Sequence, residues 1–503
     1  MNRSLHVLCD ANRSLALLLA AGLGLSLAGC NAGPNYKRPV VNLPSSYRGA
    51  MAPEIASSVG TANKPDAAKP TAAAADNADP KPATTWLGAQ SWQTVFTDPV
   101  LQQLIRRALQ NNYDVKIAAD RVLEEQARLG MTKSAEYPSV DAGASYVALG
   151  LPGGLLGNSK SSQSTYFFGG LTGSVAWNLD FWGYYRRQTE AQRAYLRATE
   201  WAQQTTYSTL IEDVATDYDQ LRSLDAQLDL TRKTFRARQQ SLALTQTLER
   251  GGAESLADVR QAEELCYAAQ AQIPALQSQI ASQENDLRLL LGEAPGPIDR
   301  GYPVADAPHP VDVPVGLPSD LLERRPDVRR AEELLVQANA NIGVARAAYF
   351  PQLSITAEGG LGSSQFDELL NPANGYYYAV GGLTQPIFDA GKIRNNYHLA
   401  LSAHKELLDT YQQTIAEALR DVSNALVAYH KSREYRDLEE KQVAAAADAL
   451  RLARIRYQGG ATSYLEVLTT DTNLYNAELT LNAAEQQEAL ALVQLYNALG
   501  GGW

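Results

Sequence analysis

Apolar residues recur at helical spacing over two unusually long stretches, residues 184–249 and 392–457, and neither contains a proline. In the first, Tyr207, Ile211, Val214, Tyr218, Leu221 and Leu228 follow at intervals of three, four or seven, as Ile415, Leu419, Val422, Leu426 and Tyr429 do in the second. At 1.5 Å per residue each stretch predicts a single helix ~100 Å long. The stripe is thin, diluted by Ala, Thr, Ser and Gln. It predicts rods packed side by side rather than helices wrapped round a broad core.

Elsewhere the helical period gives way to alternation. Val140, Ala142, Ala144, Tyr146 and Ala148 fall on one face of a strand at about 139–149, and further strands are predicted at about 166–182, 352–360 and 376–388. Glycine-rich loops at 150–164 and 360–375 make these two hairpins. Strands of about ten residues cross a bilayer when tilted. Aromatic residues gather near the expected ends, at Tyr146, Tyr166, Phe167, Phe168, Trp177, Trp182, Tyr376, Tyr377 and Tyr378. Two ordinary hairpins on a soluble helical protein remain an alternative. Four strands do not close a barrel, and open strand edges are intolerable in lipid, so a bilayer location requires several chains.

The two long stretches are copies. A shift of 208 residues lays Gly183 on Gly391, Asp213 on Asp421, Gly251-Gly252-Ala253 on Gly459-Gly460-Ala461, Val259 on Val467 and Leu291-Gly292 on Leu499-Gly500. The halves are residues 86–292 and 319–500, joined by a proline-rich crossing at 293–318. Past each double glycine a shorter helix descends. Pro274 predicts a kink in the first, where the second has Asn482. Each long helix, paved by two short ones, makes one chain worth about four full-length rods.

The N-terminus carries processing signals. Arg3 and Arg13 precede an apolar run ended by Leu27-Ala28-Gly29-Cys30, which reads as a bacterial lipoprotein signal over residues 1–29 with Cys30 left as the acylated first residue. Residues 30–50, with Pro34, Pro39 and Pro44, read as an extended lipid-anchored segment, and 51–85 as a flexible low-complexity spacer. The net charge of -11 argues against nucleic-acid binding. Cys266 is the one cysteine left after Cys9 and Cys30, which excludes an internal disulfide in the mature chain. No catalytic constellation or metal-ligand spacing stands out, since His398 and His404 lie six apart with no suitable neighbours. The covalent lipid on Cys30 is the sole expected cofactor.

At this point the motifs carry a resemblance. The lipobox with Gly33-Pro34-Asn35-Tyr36, the Leu317 to Val328 stretch with Glu323-Arg324-Arg325-Pro326, Gln385-Pro386-Ile387-Phe388, and Arg456-Tyr457-Gln458-Gly459 running into Leu465-Glu466-Val467-Leu468 resemble the TolC-like outer-membrane efflux proteins, in the lipoprotein branch serving resistance-nodulation-division pumps. The resemblance implies a mainly α fold with β. Three chains would form a 12-stranded outer-membrane barrel continued by a long periplasmic α-helical barrel. The partners implied are a homotrimer, a periplasmic adaptor and an inner-membrane transporter. The implied function is passive conduction of small molecules to the exterior; a type I polypeptide secretion channel and a non-conducting coiled-coil envelope lipoprotein are the alternatives.

The double glycines Gly251, Gly252, Gly459 and Gly460 mark the periplasmic tip turns and adaptor contacts, since glycine permits the positive φ that ends a helix. By resemblance, Glu466 takes an acidic position of the closed constriction. Asp258 is its first-half equivalent, and Asp471 is a further candidate. Arg260, Arg454 and Arg456 are expected to tie the tips shut by ion pairs. The alternative is that all six are solvated helix-face charges.

Overall fold

The computed structural model describes residues 32–44, 46–48, 86–151, 164–303, 313 and 318–502. The expected signal peptide, Cys30, the 51–85 spacer, most of the first hairpin loop and part of the crossing lie outside the described residues.

After single helical turns at Leu87–Ala89 and Trp92–Val95 comes α1 (Pro99–Asn111), where Asp98 accepts a hydrogen bond from Val100 N and Pro99 supplies the first-turn residue that needs no donor. Then come α2 (Tyr113–Ser134), β1 (Ser139–Leu151), β2 (Ser164–Leu179), α3 (Tyr184–Arg250) and α4 (Leu256–Leu290). The second half repeats the order with α5 (Pro326–Ala347), β3 (Gln352–Ser363), β4 (Gly375–Thr384), α6 (Lys392–Gln458) and α7 (Tyr464–Ala498). Both long helices are 67 residues without a break. α4 runs through Pro274 as one helix.

Two strands end earlier than the alternation suggests. β2 stops at Leu179 instead of 182 because Asp180 turns to accept from Arg186 N at 2.8 Å, which starts α3. β4 stops at Thr384 instead of 388, since Pro386 has no N–H for a ladder and Asp389 accepts from Ile393 N at 2.7 Å to start α6.

The four strands form one antiparallel sheet in the order β1-β2-β3-β4. Its register sorts the side chains. One lateral row is Val140, Val175, Ala357 and Ala379; the next is Asp141, Ser174, Glu358 and Tyr378. The first face continues with Tyr146, Leu171, Trp177, Leu353 and Ile355, the second with Ser145, Thr172, Thr356 and Tyr376. The first face is therefore apolar and the second carries the polar side chains together with Val147, Leu149, Phe168 and Val380, while β1 and β4 remain edges. On the polar face Tyr376 and Tyr378 each donate to Glu358 at 2.9 Å.

The repeat halves are not the compact units. Because β2 of the first half pairs with β3 of the second, one unit comprises the described residues up to Val40, Arg121–Glu200 and Arg330–Gln412. The other comprises Val41–Asp120, Trp201–Arg329 and Gln413–Trp503. In the sheet-bearing unit the N-terminal segment is strapped down. Ala32 N donates to Trp182 O at 2.9 Å, Arg187 donates to Ala32 O and Asn35 Oδ1, Asn339 donates to Pro34 O, and Arg38 pairs with Glu332 at 2.8 Å.

In the helical unit the apolar stripe is the core: Ile211, Val214, Tyr218 and Leu221 are buried on α3, and Ile415, Val422, Leu426 and Tyr429 on α6. The start of the crossing is pinned to α3. Tyr218 OH donates to Asp98 Oδ2 at 2.9 Å and accepts from Gly301 N at 2.8 Å, while Arg300 pairs with Asp225 at 2.9 Å.

Burial, and secondarily the Asp98 charge, push the neighbouring Asp219 carboxyl up to about 7 against the pull of Arg222. A carboxyl raised in the folded state contributes stability that is complete below its unfolded pKa near 4 and lost as pH rises through about 7. Asp219→Asn, which stays neutral, is therefore expected to melt above the parent at pH 8 and no higher at pH 4. Thermal unfolding at the two pH values checks this, and an equal gain at both would refute it.

Candidate functional site at the helical tips

Each long helix ends in the same device. Gly252 and Gly460 have φ of +75° and +72°, and Ala253 N and Ala461 N reach back to Leu248 O and Arg456 O at 2.9 and 2.8 Å. These are Schellman ends, in which the left-handed residue lets the chain satisfy the last carbonyls and reverse. Only the second glycine of each pair carries positive φ, so Gly251 and Gly459 are not demanded by the backbone. A side chain at Gly252 or Gly460 would meet open space, leaving conformational strain as the whole cost of substitution there.

α4 then starts with a capping box. Ser255 Oγ accepts from Asp258 N at 3.3 Å and Asp258 Oδ2 accepts from Ser255 N at 3.2 Å. The Ser255 hydroxyl, ahead of the backbone, holds the Asp258 carboxyl below its ordinary range. Asp258 thus serves its own helix end.

Below the turns Ala262, Leu450, Ala453, Tyr464, Val467 and Leu468 form a buried cluster. Two tyrosines edge it: Tyr464 OH lies 2.8 Å from Ser241 Oγ, and Tyr457 OH donates to Glu254 Oε1 at 2.7 Å. The second contact ties the end of α6 to the turn of the first hairpin. Burial, reinforced by the bond to Glu254, raises the Tyr457 hydroxyl well above its usual range, so it stays a donor.

The remaining charges are paired. Arg456 Nη1 bonds Glu466 Oε1 at 2.8 Å, and Thr462 Oγ1 donates to the other oxygen. Asp471 takes Arg238 at 2.9 Å and Arg454 at 3.4 Å. Arg260 bonds Glu263 at 2.6 Å within α4. Arg238, on α3, is the residue that sequence reasoning missed. It is buried, donates to Leu265 O at 3.2 Å, and lies 5.3 Å from the Tyr475 ring centroid. Its one sequence signal was a break in the repeat, since position 446 is Ala. Glu254 was likewise not singled out, and Tyr457 entered only within the Arg456-Tyr457-Gln458-Gly459 motif. Ion pairs and tyrosine hydrogen bonds thus join the two hairpins at the tip.

A chain that presents a two-faced four-stranded sheet and paired 67-residue helices has the fold of an outer-membrane channel. It matches the outer membrane efflux protein family over residues 104–293 and 317–501, once in each half, and belongs to that family. The cation efflux system protein CusC of Escherichia coli is 32% identical over 489 residues, covering 97% of this chain and 98% of that one. The solvent efflux pump outer membrane protein SrpC of Pseudomonas putida is 37% identical over 410 residues, 81% of this chain and 86% of that one. A crystal structure of CusC superposes with a TM-score of 0.80 at 29% identity, covering 94% of this chain and all of that one. The protein is an outer-membrane efflux component.

Proposed function

We propose that this protein is the passive outer-membrane duct of a tripartite pump, carrying small molecules delivered by an inner-membrane transporter of the resistance-nodulation-division type through a periplasmic adaptor. The observation that carries the reading is the open sheet with one apolar and one polar face. In a bilayer both edges must be paired, and three copies of four strands make a 12-stranded barrel with Asp141 and Glu358 lining water. The helices continue the duct into the periplasm, with the adaptor meeting the Gly251-Gly252 and Gly459-Gly460 turns. Arg456–Glu466 and Arg238–Asp471–Arg454 hold the tip narrow at rest. Cys30 carries the lipid, for which mass analysis of the mature N-terminus is the check.

The names of the relatives, a cation efflux system protein and a solvent efflux pump protein, support small molecules rather than polypeptides as cargo. Purified protein in planar bilayers is expected to conduct, and Arg456→Ala with Glu466→Ala to conduct more per channel. An absence of any conductance from correctly assembled protein rules the duct out. Unchanged conductance in the variant rules out this lock alone.

A further inference from the structure

Within the helical unit, far along the helices from the tip turns, a cavity of about 380 Å³ lies where α7 ends at Ala498 and α5 begins at Pro326. That volume is in the range of small-molecule sites. Its wall is polar: α3 contributes Ser208 and Glu212, four residues apart and so on one face, α6 contributes Asp421 and Asn424, and α7 contributes Gln494 and Asn497.

Most of the charge here is already matched. Arg325, just before α5, bonds Asp327 at 3.0 and 2.6 Å, reaches Asp421 at 3.5 Å and donates to Ala498 O at 3.4 Å. Asp421 also takes Arg420 at 2.8 Å. Glu212 differs. Asn497 Nδ2 donates to its Oε2, and no cation pairs with it among the described residues. Burial, partly relieved by that amide bond and reinforced by Asp213, holds the Glu212 carboxyl above its ordinary range.

One turn away, Ser208 is 6% exposed and its hydroxyl has no hydrogen-bond partner among the described residues. Its neighbours Thr205 and Thr206 instead donate to the carbonyls of Trp201 and Ala202 in their own helix. A buried hydroxyl on a cavity wall without a partner marks a bond left for a bound molecule. Neither residue is dictated by the repeated packing, because the 208-residue shift places Ala416 and Arg420 at their counterparts on α6.

We infer that this cavity binds a small organic monocation, a primary ammonium on a polar body, with the ammonium donating to Glu212 and an oxygen of the body meeting Ser208. One uncompensated carboxylate selects one positive charge, and the guanidinium that would take an anion is engaged by two carboxylates. Among the described residues no three carboxylate, imidazole or thiol groups converge to hold a metal ion. The amides of Asn424 and Gln494 suit a hydrogen-bonding body. The site is built within one chain, so it stands apart from the duct.

The test is calorimetric titration of the purified, assembled protein in detergent with 4-amino-1-butanol, and with 1,4-butanediol as the uncharged comparator. The amine should bind and the diol should not. Glu212→Gln still accepts from Asn497 and should weaken the amine by about tenfold or more, while Ser208→Ala should weaken it less. Ala428→Phe fills the cavity from α6 without removing a polar group, and should abolish binding in protein that melts like the parent. Affinity in the parent should fall from pH 7 to pH 5, as the raised Glu212 carboxyl takes up a proton, and should not fall in Glu212→Gln. Equal binding of amine by the parent and Glu212→Gln, or of amine and diol by the parent, overturns the assignment to a cation. Calcium chloride that displaces the amine makes the site a metal site and overturns it equally. A folded parent that takes up no amine overturns the site itself, while conductance tests the duct separately.

Discussion

Arg238→Ala is expected to destabilise the tip by about 3 kcal/mol and to open the duct, because the substitution strands a buried carboxylate. Arg238 and Asp471 have side chains 8 and 15% exposed, and the second arginine on Asp471, Arg454, is half in solvent and 3.4 Å away. Exposed pairs contribute little, so Arg454 offsets only part of the loss. Removing the guanidinium also uncovers the Tyr475 ring and the α4 backbone at Leu265. Arg238→Lys keeps the charge but not the planar group that bonds Asp471 and Leu265 O together and lies over the Tyr475 ring, and is expected to fall between. Hydrogen exchange across residues 455–475 should rise in Arg238→Ala, with single-channel conductance rising in parallel. Unchanged exchange there would show that the pair is not what holds the hairpins together. By contrast Arg260→Ala is expected to be silent, since its partner Glu263 lies on the same helix.

Much of this architecture was legible because the chain writes it twice. The 208-residue register located both tip turns, and the three- and four-residue spacing named the buried face of α3 from Ile211 to Leu221 and, on α6, Ile415, Val422, Leu426 and Tyr429, with Leu419 only half-buried. Alternation found the strands, since a sheet with one wet and one apolar face must alternate. Strand ends were misplaced where aromatic residues continued past the point at which Asp180 and Asp389 cap the next helix. The charged residues at the tip were named but their pairing was not. Whether Asp258 faces a pore or closes a capping box depends on the rotation of α4, which a one-residue difference in helix start changes by 100°. Arg238 lies more than two hundred residues from Asp471, and nothing local distinguishes a buried arginine from the solvated ones around it.

Gly33→Val is expected to release the N-terminal strap from the sheet-bearing unit, with the largest effect of any single substitution outside the tip. A Cβ at Gly33 would stand 2.5 Å from Gly343 Cα and 3.0 Å from Gly343 N, and backbone atoms cannot move aside as a side chain can. The φ of +95° adds strain for any L residue, and a β-branched one most. The strap cannot shift alone. Arg187, 2% exposed at its side chain, depends on Ala32 O and Asn35 Oδ1, with Glu190 at 2.6 Å the partner that would remain. Asn339 would lose Pro34 O, and Glu332 would lose Arg38. Two or three buried polar groups losing partners cost about 1–3 kcal/mol each, so undocking of residues 32–38 is favoured over local repair. Gly343→Ala approaches from the other side, where its Cβ would lie 2.9 Å from Ala32 O and from Arg187 Cδ. The arginine methylene can yield, so this variant is expected to be the milder of the two. Limited proteolysis between Tyr36 and Tyr47 should be rapid in Gly33→Val, slower in Gly343→Ala and slowest in the parent. Equal rates in all three would mean that the glycine contact does not hold the strap.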